Sequence, residues 1–297
     1  MRSESDYSHY LQSLYGAEDQ FKLMARSAAE SIQASHMCLS PEEGRILRGL
    51  LSLSCSSVRE GEVIRVVEIG TLTGLSAHYL LDAFPAGLEL WTFELQLRQA
   101  ELARQSHRLR IENEIFGRRQ DVALALKEKT NSLGRPQGAQ DSSLIKKTSD
   151  GKINSSIHFV VGDAKQSLRD FLQVHGAGTV DFVFIDANKA DYPSYLEFAS
   201  SLLKPGGCLV ADNCFLRGDV FSAAPSSASS HLESQPGIQS LKNQNPGVPQ
   251  EQVPLHFSKA AVQAMQDFNQ KISRSPLFEA FYLPTSEGLC IAKKRPN

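Results

Sequence analysis

The chain has no apolar run approaching the roughly 20 residues that span a bilayer, and its opening MRSESDYSHYLQSLYG lacks the apolar stretch of a secretory signal. Neither a membrane span nor secretion is expected. A surplus of one charge is missing too: 31 Lys+Arg stand against 33 Asp+Glu, for a formal net charge of −2. Proteins that hold nucleic acid by neutralising phosphates carry a basic excess, so no nucleic-acid partner is expected. The five cysteines, Cys38, Cys55, Cys208, Cys214 and Cys290, never fall in a CxxC pair. They read as free thiols in a reducing cytoplasm, not as a disulfide framework or a zinc site. The eight histidines show no HxxxH spacing, and no G-x-S-x-G elbow surrounds Ser76. What is present is an ordinary soluble composition, 41% hydrophobic and 22% charged over 297 residues. That length is generous for one domain.

Two polar stretches account for the surplus length. One runs over about 127–156 and the other over about 222–254; both are rich in Ser, Gly, Pro, Gln and Asn. Neither has a period long enough to bury a face, so both are expected to be loops or partly disordered insertions. Elsewhere short β-branched and aromatic runs alternate with helix-like segments. VIRVVEI (Val63 to Ile69), LELWTF (Leu88 to Phe93), IHFVV (Ile157 to Val161), VDFVFI (Val180 to Ile185) and GCLVA (Gly207 to Ala211) read as strands. RVVEI and DFVFI are almost continuously apolar, as in strands covered on both faces. Helices are expected over 74–83, 97–111, 164–174, 191–203 and 258–272, and the runs 277–283 and 288–294 should form a terminal hairpin. Strand–helix–strand spacing of this kind implies right-handed crossovers and a mostly parallel sheet. Residues 7–55 read as a helical arm, with Ser40-Pro41-Glu42-Glu43 as a helix start. The expected fold is thus α/β, Rossmann-like and doubly wound. Its seven-stranded sheet ends in an antiparallel hairpin, and a helical arm (1–60) precedes it.

Three signals carry chemistry. In VVEIGTLTGLSAHYLL (Val66 to Leu81) a strand ends at Gly70 and a helix begins near Gly74, giving a crevice where a ligand meets backbone N–H groups. The spacing is G-x-x-x-G, without the third glycine of a pyrophosphate-binding fingerprint. Glu68 before the turn would repel pyrophosphate and attract an ammonium group, so S-adenosylmethionine suits the crevice better than NAD. Glu94 stands at the tip of the next strand, where a carboxylate suits ribose hydroxyls; alone it would read as a solvated loop acid. FIDANK (Phe184 to Lys189) and ADN (Ala211 to Asn213) each follow a strand, so Asp186, Asp212 and Asn213 should project from adjacent strand ends. Two carboxylates and an amide oxygen form a hard set suited to Mg²⁺ or Ca²⁺; the bland reading is that each Asp caps the next helix. Trp91 is assigned to the core and Cys214 to packing, while Tyr192 and Tyr195 stand equally between lining a pocket and packing a helix.

With these blocks in view, the sequence resembles the class I, metal-dependent O-methyltransferases, the group of catechol and caffeoyl-CoA O-methyltransferases and their bacterial relatives. The likeness runs through MCLSPEEG (Met37 to Gly44), VVEIGTLTGLSA (Val66 to Ala77), WTFEL (Trp91 to Leu95), VGDA (Val161 to Ala164), DFVFIDANKADYPSY (Asp181 to Tyr195), LLKPGGCLVADN (Leu202 to Asn213) and EGLCIAKKR (Glu287 to Arg295). It covers almost the whole chain outside the two polar stretches. The FIDANKADY and PGG…ADN blocks are its specific part.

The resemblance implies a single S-adenosyl-L-methionine-dependent methyltransferase domain over 1–297. In it Met37 and Leu39 lie against the cofactor. Glu68, Gly70, Thr71 and Ser76 hold its methionine portion, Glu94 its ribose, and Asp163 and Ala164 its adenine. It further implies a divalent metal, Mg²⁺ before Ca²⁺ or Mn²⁺, on Asp186, Asp212 and Asn213, with Lys189 as general base. Asp186 counts among the catalytic and cofactor-contacting residues as well. A metal chelated by adjacent acceptor oxygens would lower the hydroxyl pKa, and its charge would bias Lys189 toward taking a proton. The acceptor would be a small molecule with vicinal hydroxyls, and the enzyme a cytoplasmic homodimer. The alternatives are a nicotinamide-dependent oxidoreductase and a non-catalytic binding protein on the same fold. The stretch from Phe215 to Pro254 directly follows the metal residues and departs from the family outline, so the resemblance does not carry over the acceptor's identity.

Overall fold

The computed structural model describes residues 4–56, 62–84, 87–117, 124–127, 142–147, 153–223, 257–285 and 287–296. Three helices lead the chain: α1 (Glu4–Tyr15), α2 (Gln20–Ser31) and α3 (Pro41–Ser54). The start of α3 is the one its sequence announces. Ser40 Oγ accepts the Glu43 N–H, and the Glu43 carboxylate accepts the Ser40 N–H at 2.8 Å, a closed capping box with Pro41 in the first turn.

Alternating units follow: β1 (Ile64–Ile69), α4 (Leu75–Ala83), β2 (Leu88–Glu94), α5 (Leu97–Gly117), β3 (Leu124–Lys127), β4 (Ser142–Lys147), β5 (Ile153–Val161), α6 (Ala164–His175), β6 (Val180–Ile185), α7 (Tyr192–Leu202) and β7 (Leu203–Ala211). The chain ends with α8 (Lys259–Ser273) and the strands β8 (Phe278–Leu283) and β9 (Leu289–Lys294). The sheet has nine strands in the order β3-β4-β5-β2-β1-β6-β7-β9-β8. Its five central strands run parallel, and both flanks are antiparallel.

Alternation along the strands sorts the core into two layers. Val66, Leu90, Phe159, Phe182 and Val210 face α3, α4 and α5, whereas Val67, Phe93, Val160, Val183 and Leu209 face α6, α7 and α8. Helices on both faces explain why RVVEI and DFVFI are almost continuously apolar. Burial at about 25 cal/mol per Å² of apolar surface makes these strands the strongest anchor of the fold.

The sequence expectation needs one correction here. The sheet is not seven-stranded, and the first polar stretch is not all loop, because β4 and the start of β5 lie within it. The β3–β4 flank lies at the end of the sheet, and among the described β4 side chains Leu144 alone joins the core, so SSLIKK gave no usable period. The second stretch, about 222–254, lies beyond residue 223 outside the described residues. The hairpin is as expected, with Phe278 paired to Lys294 and Leu283 to Leu289. Among the described residues no helix is long and apolar enough to cross a membrane.

Candidate active site

Parallel strands carry their loops to one edge, and β1, β2, β6 and β7 bring the candidate residues there. The first group is tied by side chains. Glu68, fully buried on β1, accepts the Thr92 hydroxyl at 2.5 Å, and the Thr71 hydroxyl lies 2.5 Å from that of Thr92. Since the Thr92 proton goes to Glu68, Thr71 donates to Thr92. Burial pushes the Glu68 carboxyl up to about 7, against the opposing pull of the nearby Ser76 and Thr92 hydroxyls. Its Oε1 makes no hydrogen bond of ordinary geometry among the described residues.

Glu94 binds the same turn. Its Oε2 accepts the backbone N–H of Thr71 at 3.2 Å and of Leu72 at 2.9 Å, and its Oε1 that of Gln96 at 2.9 Å. Burial raises its pKa, and the backbone N–H groups of Gln96, Leu72, Thr71 and Leu95 work against that rise.

Gly70 adopts φ +99°, and a Cβ placed on it would lie 1.9 Å from the Asp186 carbonyl oxygen. The glycine is thus demanded by the approach of β1 to the end of β6, whatever ligand the turn receives.

The second group begins at Asp186. Ile185 and Ala211 are partners in the β6–β7 register, so Asp186 and Asp212 leave the sheet side by side. Neither acid caps a helix. Asp186 Oδ1 accepts Lys189 Nζ at 2.8 Å, and Asp212 Oδ1 accepts the Asn213 N–H at 2.7 Å. Asp212 is 4% exposed. Its carboxyl is pushed up to about 8 by burial first, then by the charges of Asp186 and Glu43. That mutual repulsion is what a cation between the two acids would relieve. Asn213, at φ +59°, donates its side-chain N–H to Glu287 Oε2 at 3.4 Å, which turns its amide oxygen away from Glu287. Among the described residues no three His, Cys, Asp or Glu side chains form a metal cluster; here the third donor is an amide. The oxygen set fits a hard divalent ion, and the orphaned Glu68 oxygen fits an ammonium group.

Tyr192, left undecided by the sequence, proves central. It is fully buried; its hydroxyl donates to the Asp212 carbonyl at 2.9 Å and receives Lys189 Nζ at 3.0 Å. Burial and the neighbouring Asp186 raise its pKa. Its offset of one helical turn from Lys189 was the only available signal. Tyr195 packs in the core. Cys214 is a buried thiol donating to the Ala211 carbonyl at 3.3 Å, in keeping with a packing role.

The remaining candidates lie along the same edge without direct bonds to these groups. Met37 is exposed in a 3₁₀ turn and Leu39 is buried under α3. Between them, burial raises the pKa of the Cys38 thiol, with the Arg26 charge opposing that rise and the Asp186 charge adding to it. Asp163 is exposed and caps α6 through the Gln166 N–H at 3.0 Å, and Ala164 is the first residue of that helix.

Comparison with known proteins agrees with this geometry. The family described as O-methyltransferase matches residues 139–295. A catechol O-methyltransferase of Niastella koreensis is 26% identical over 71% of this chain and 74% of its own length. A caffeoyl-CoA O-methyltransferase of Stellaria longipes is 28% identical over 74% of this chain and 72% of its own. Among solved structures, the O-methyltransferase TomG of Streptomyces achromogenes, in complex with SAM, superposes with a TM-score of 0.65 at 21% identity and full coverage of both chains (100% each). An O-methyltransferase of Bacillus cereus in complex with SAH gives 0.63 at 20% identity, over 98% of this chain and 97% of that one. At such identities the superpositions establish a shared fold.

Proposed function

The chain belongs to the O-methyltransferase family, and from that premise we propose that it moves the methyl group of S-adenosyl-L-methionine to one hydroxyl of a small aromatic acceptor with vicinal hydroxyls. The observation that carries this reading is the meeting of two groups at one sheet edge. Glu68, Thr92, Thr71 and Glu94 underlie a cofactor crevice, and Lys189 on Asp186 stands beside Asp212 and Asn213. The contact of Gly70 with Asp186 joins the two. Catechol and caffeoyl-CoA enzymes among the relatives support a diol acceptor, and SAM- and SAH-bound neighbours support the cofactor. Family membership speaks against a nicotinamide-dependent oxidoreductase.

The residues divide the work as follows. Glu68, Gly70, Thr71 and Ser76 would hold the methionine portion, Glu94 the ribose, and Asp163 and Ala164 the adenine, with Met37 and Leu39 packed against the cofactor. Asp186, Asp212 and Asn213 would hold a divalent metal, Mg²⁺ before Ca²⁺ or Mn²⁺. When bound, such a metal fixes two acceptor oxygens and favours their ionisation. Lys189 Nζ, held between Asp186 and Tyr192, is placed to take the hydroxyl proton. The setting proposed is a cytoplasmic homodimer with no membrane or nucleic-acid partner.

Calorimetric titration with S-adenosyl-L-methionine, with and without a chelator, tests the cofactor. Binding is expected, and its complete absence overturns the reading. A mass-resolved screen of vicinal diols and their CoA esters then tests the transfer, and Asp186→Ala should abolish metal-dependent turnover in a folded protein. Chelator-insensitive activity retained in that variant would exclude the metal role.

A further inference from the structure

The turn from Gly70 to Gly74 is held in a costly form: Gly70, Leu72 and Gly74 all have left-handed φ, at +99°, +49° and +84°. Such backbone persists only where its surroundings over-determine it. The first half is tied to β2, through the Glu94 bonds to the Thr71 and Leu72 N–H groups and the Thr71–Thr92 hydroxyl contact. The second half is tied to two helices that carry none of the candidate residues. Thr73, fully buried, donates its hydroxyl to the Ala25 carbonyl within α2 at 2.8 Å. His107 of α5, also buried, meets the Gly74 carbonyl through Nε2 at 3.1 Å. A carbonyl only accepts, so the imidazole carries its proton on Nε2. Its Nδ1 makes no hydrogen bond among the described residues. Burial first, and then the Arg110 charge, push the His107 pKa down to about 3 against the pull of the Gly74 carbonyl, so the ring is neutral. The His78 ring stacks on it, with centroids 3.7 Å apart at 17°. A Cβ on Gly74 would lie 2.9 Å from His107 Nε2 and 3.0 Å from the Ala103 methyl, so the turn rests directly on α5.

Granted the methyl-transfer reading, on which this inference rests, we propose that Thr73 and His107 are positioning residues for S-adenosyl-L-methionine, acting through the backbone of the turn. Helix α4 begins at Gly74 without a side-chain cap, which leaves first-turn N–H groups for a ligand. The aim of that helix end depends on the Gly74 carbonyl, which also accepts the His78 N–H at 3.1 Å as the first bond of α4. His107 therefore holds the first link of the helix, and Thr73 the residue before it. With either bond gone, the turn spends part of its time in relaxed forms. The cofactor must then select the remaining competent fraction, and its apparent Kd rises as that fraction falls.

The test titrates S-adenosylhomocysteine calorimetrically into the full chain and four variants, with thermal melts of each apo protein alongside. Thr73→Val and His107→Phe each remove one donor and keep the bulk. Each should raise the Kd about tenfold, the order of one buried hydrogen bond left unmade. Thr73→Ser and His107→Gln return a hydroxyl and an N–H to nearly the same place, and should bring the Kd back close to the parental value. A lower melting point with a parental Kd in either loss variant would reduce that residue to core packing and overturn the proposal. So would a Ser or Gln variant that binds as weakly as its Val or Phe counterpart. Long-range proton–nitrogen spectra of the parent give a readout that no variant's folding can spoil. His107 should show a bare Nδ1 and a protonated Nε2, and the Nε2 resonance should move when S-adenosylhomocysteine binds. A proton on Nδ1, or an Nε2 resonance indifferent to bound S-adenosylhomocysteine, would overturn the proposal as well. If the parent binds no S-adenosylhomocysteine although His107 carries its proton on Nε2, the methyl-transfer reading falls, and this inference with it.

Discussion

Gly70 and Asp186 touch through their backbones: the Asp186 N–H follows the β1 ladder onto the Ile69 carbonyl at 2.9 Å, and a methyl on Gly70 would lie 1.9 Å from the Asp186 carbonyl oxygen. The Gly70 turn and Asp186 are therefore positioned by one another. Gly70→Ala should cost about 3 kcal/mol or more of stability, from the clash and the positive φ together. Thermal melts of the apo protein measure this, and an unchanged midpoint would contradict the contact. Because the displaced partner is Asp186, the variant should also lose turnover beyond what its lower melting point explains.

Lys189→Met removes the group placed to accept the hydroxyl proton. A fall in kcat of about 10²–10⁴ is expected, with the cofactor Kd unchanged. Tyr192→Phe keeps the ring but leaves Lys189 with one partner and the Asp212 carbonyl without its donor. It should lower kcat by less than Lys189→Met and cost about 1–3 kcal/mol of stability. A Tyr192→Phe enzyme with parental kcat and melting point would show the phenol to be an inert filler.

Glu68 gives a pH dependence with a definite sign. Burial raises its folded pKa to about 7, from about 4.5 for an ordinary glutamate. The folded chain therefore holds a proton that the unfolded chain has already released, so stability is complete below pH 4.5 and is lost as pH rises through 7. Asp212, raised to about 8, acts in the same direction. Chelator-treated apo protein should lose up to about 1.4 kcal/mol per pH unit for each group across this window. Glu68→Gln stays neutral and should flatten part of the slope. Equal slopes in the two proteins would refute the assignment.

Glu287 orients Asn213 from outside the proposed ligand set. Partners of this kind tune a metal site by about 10–100-fold when removed. Glu287→Ala should weaken Mn²⁺ binding, followed by electron paramagnetic resonance without cofactor or acceptor, by that order, and Glu287→Gln should weaken it less. Identical Mn²⁺ affinity in all three proteins would leave Glu287 no orienting role.

Much of this was legible in the sequence for a simple reason. Strands buried on both faces must be apolar throughout, and VVEIG and DFVFID announce both the strands and the acids at their ends. The β3–β4 flank was not legible, because strands near the end of the sheet bury too little to impose a pattern, as Leu144, alone in the core among the described β4 side chains, shows. Tyr192 was ambiguous for a different reason: a buried phenol packs or bonds according to which carbonyl lies above it, and here that carbonyl belongs to Asp212 on another strand. Glu287 was invisible as a partner of Asn213, since 74 residues separate the two and only the β7–β9 pairing brings them together. The demand for glycine at position 70 was legible, but its source was not. The sequence suggested a ligand, whereas the structure supplies Asp186.

The phenol of Tyr192 has one more consequence. Lys189 follows β6 and Asp212 follows β7, yet both are gauged from a single oxygen atom. Any slippage of one strand against the other is thereby felt at the same point by Lys189 and by the Asp212 backbone, and the two drift together instead of apart. Such a shared datum makes the spacing between Lys189 Nζ and the Asp212 backbone an internal dimension of the core, set from a fully buried side chain and not from the surface loops.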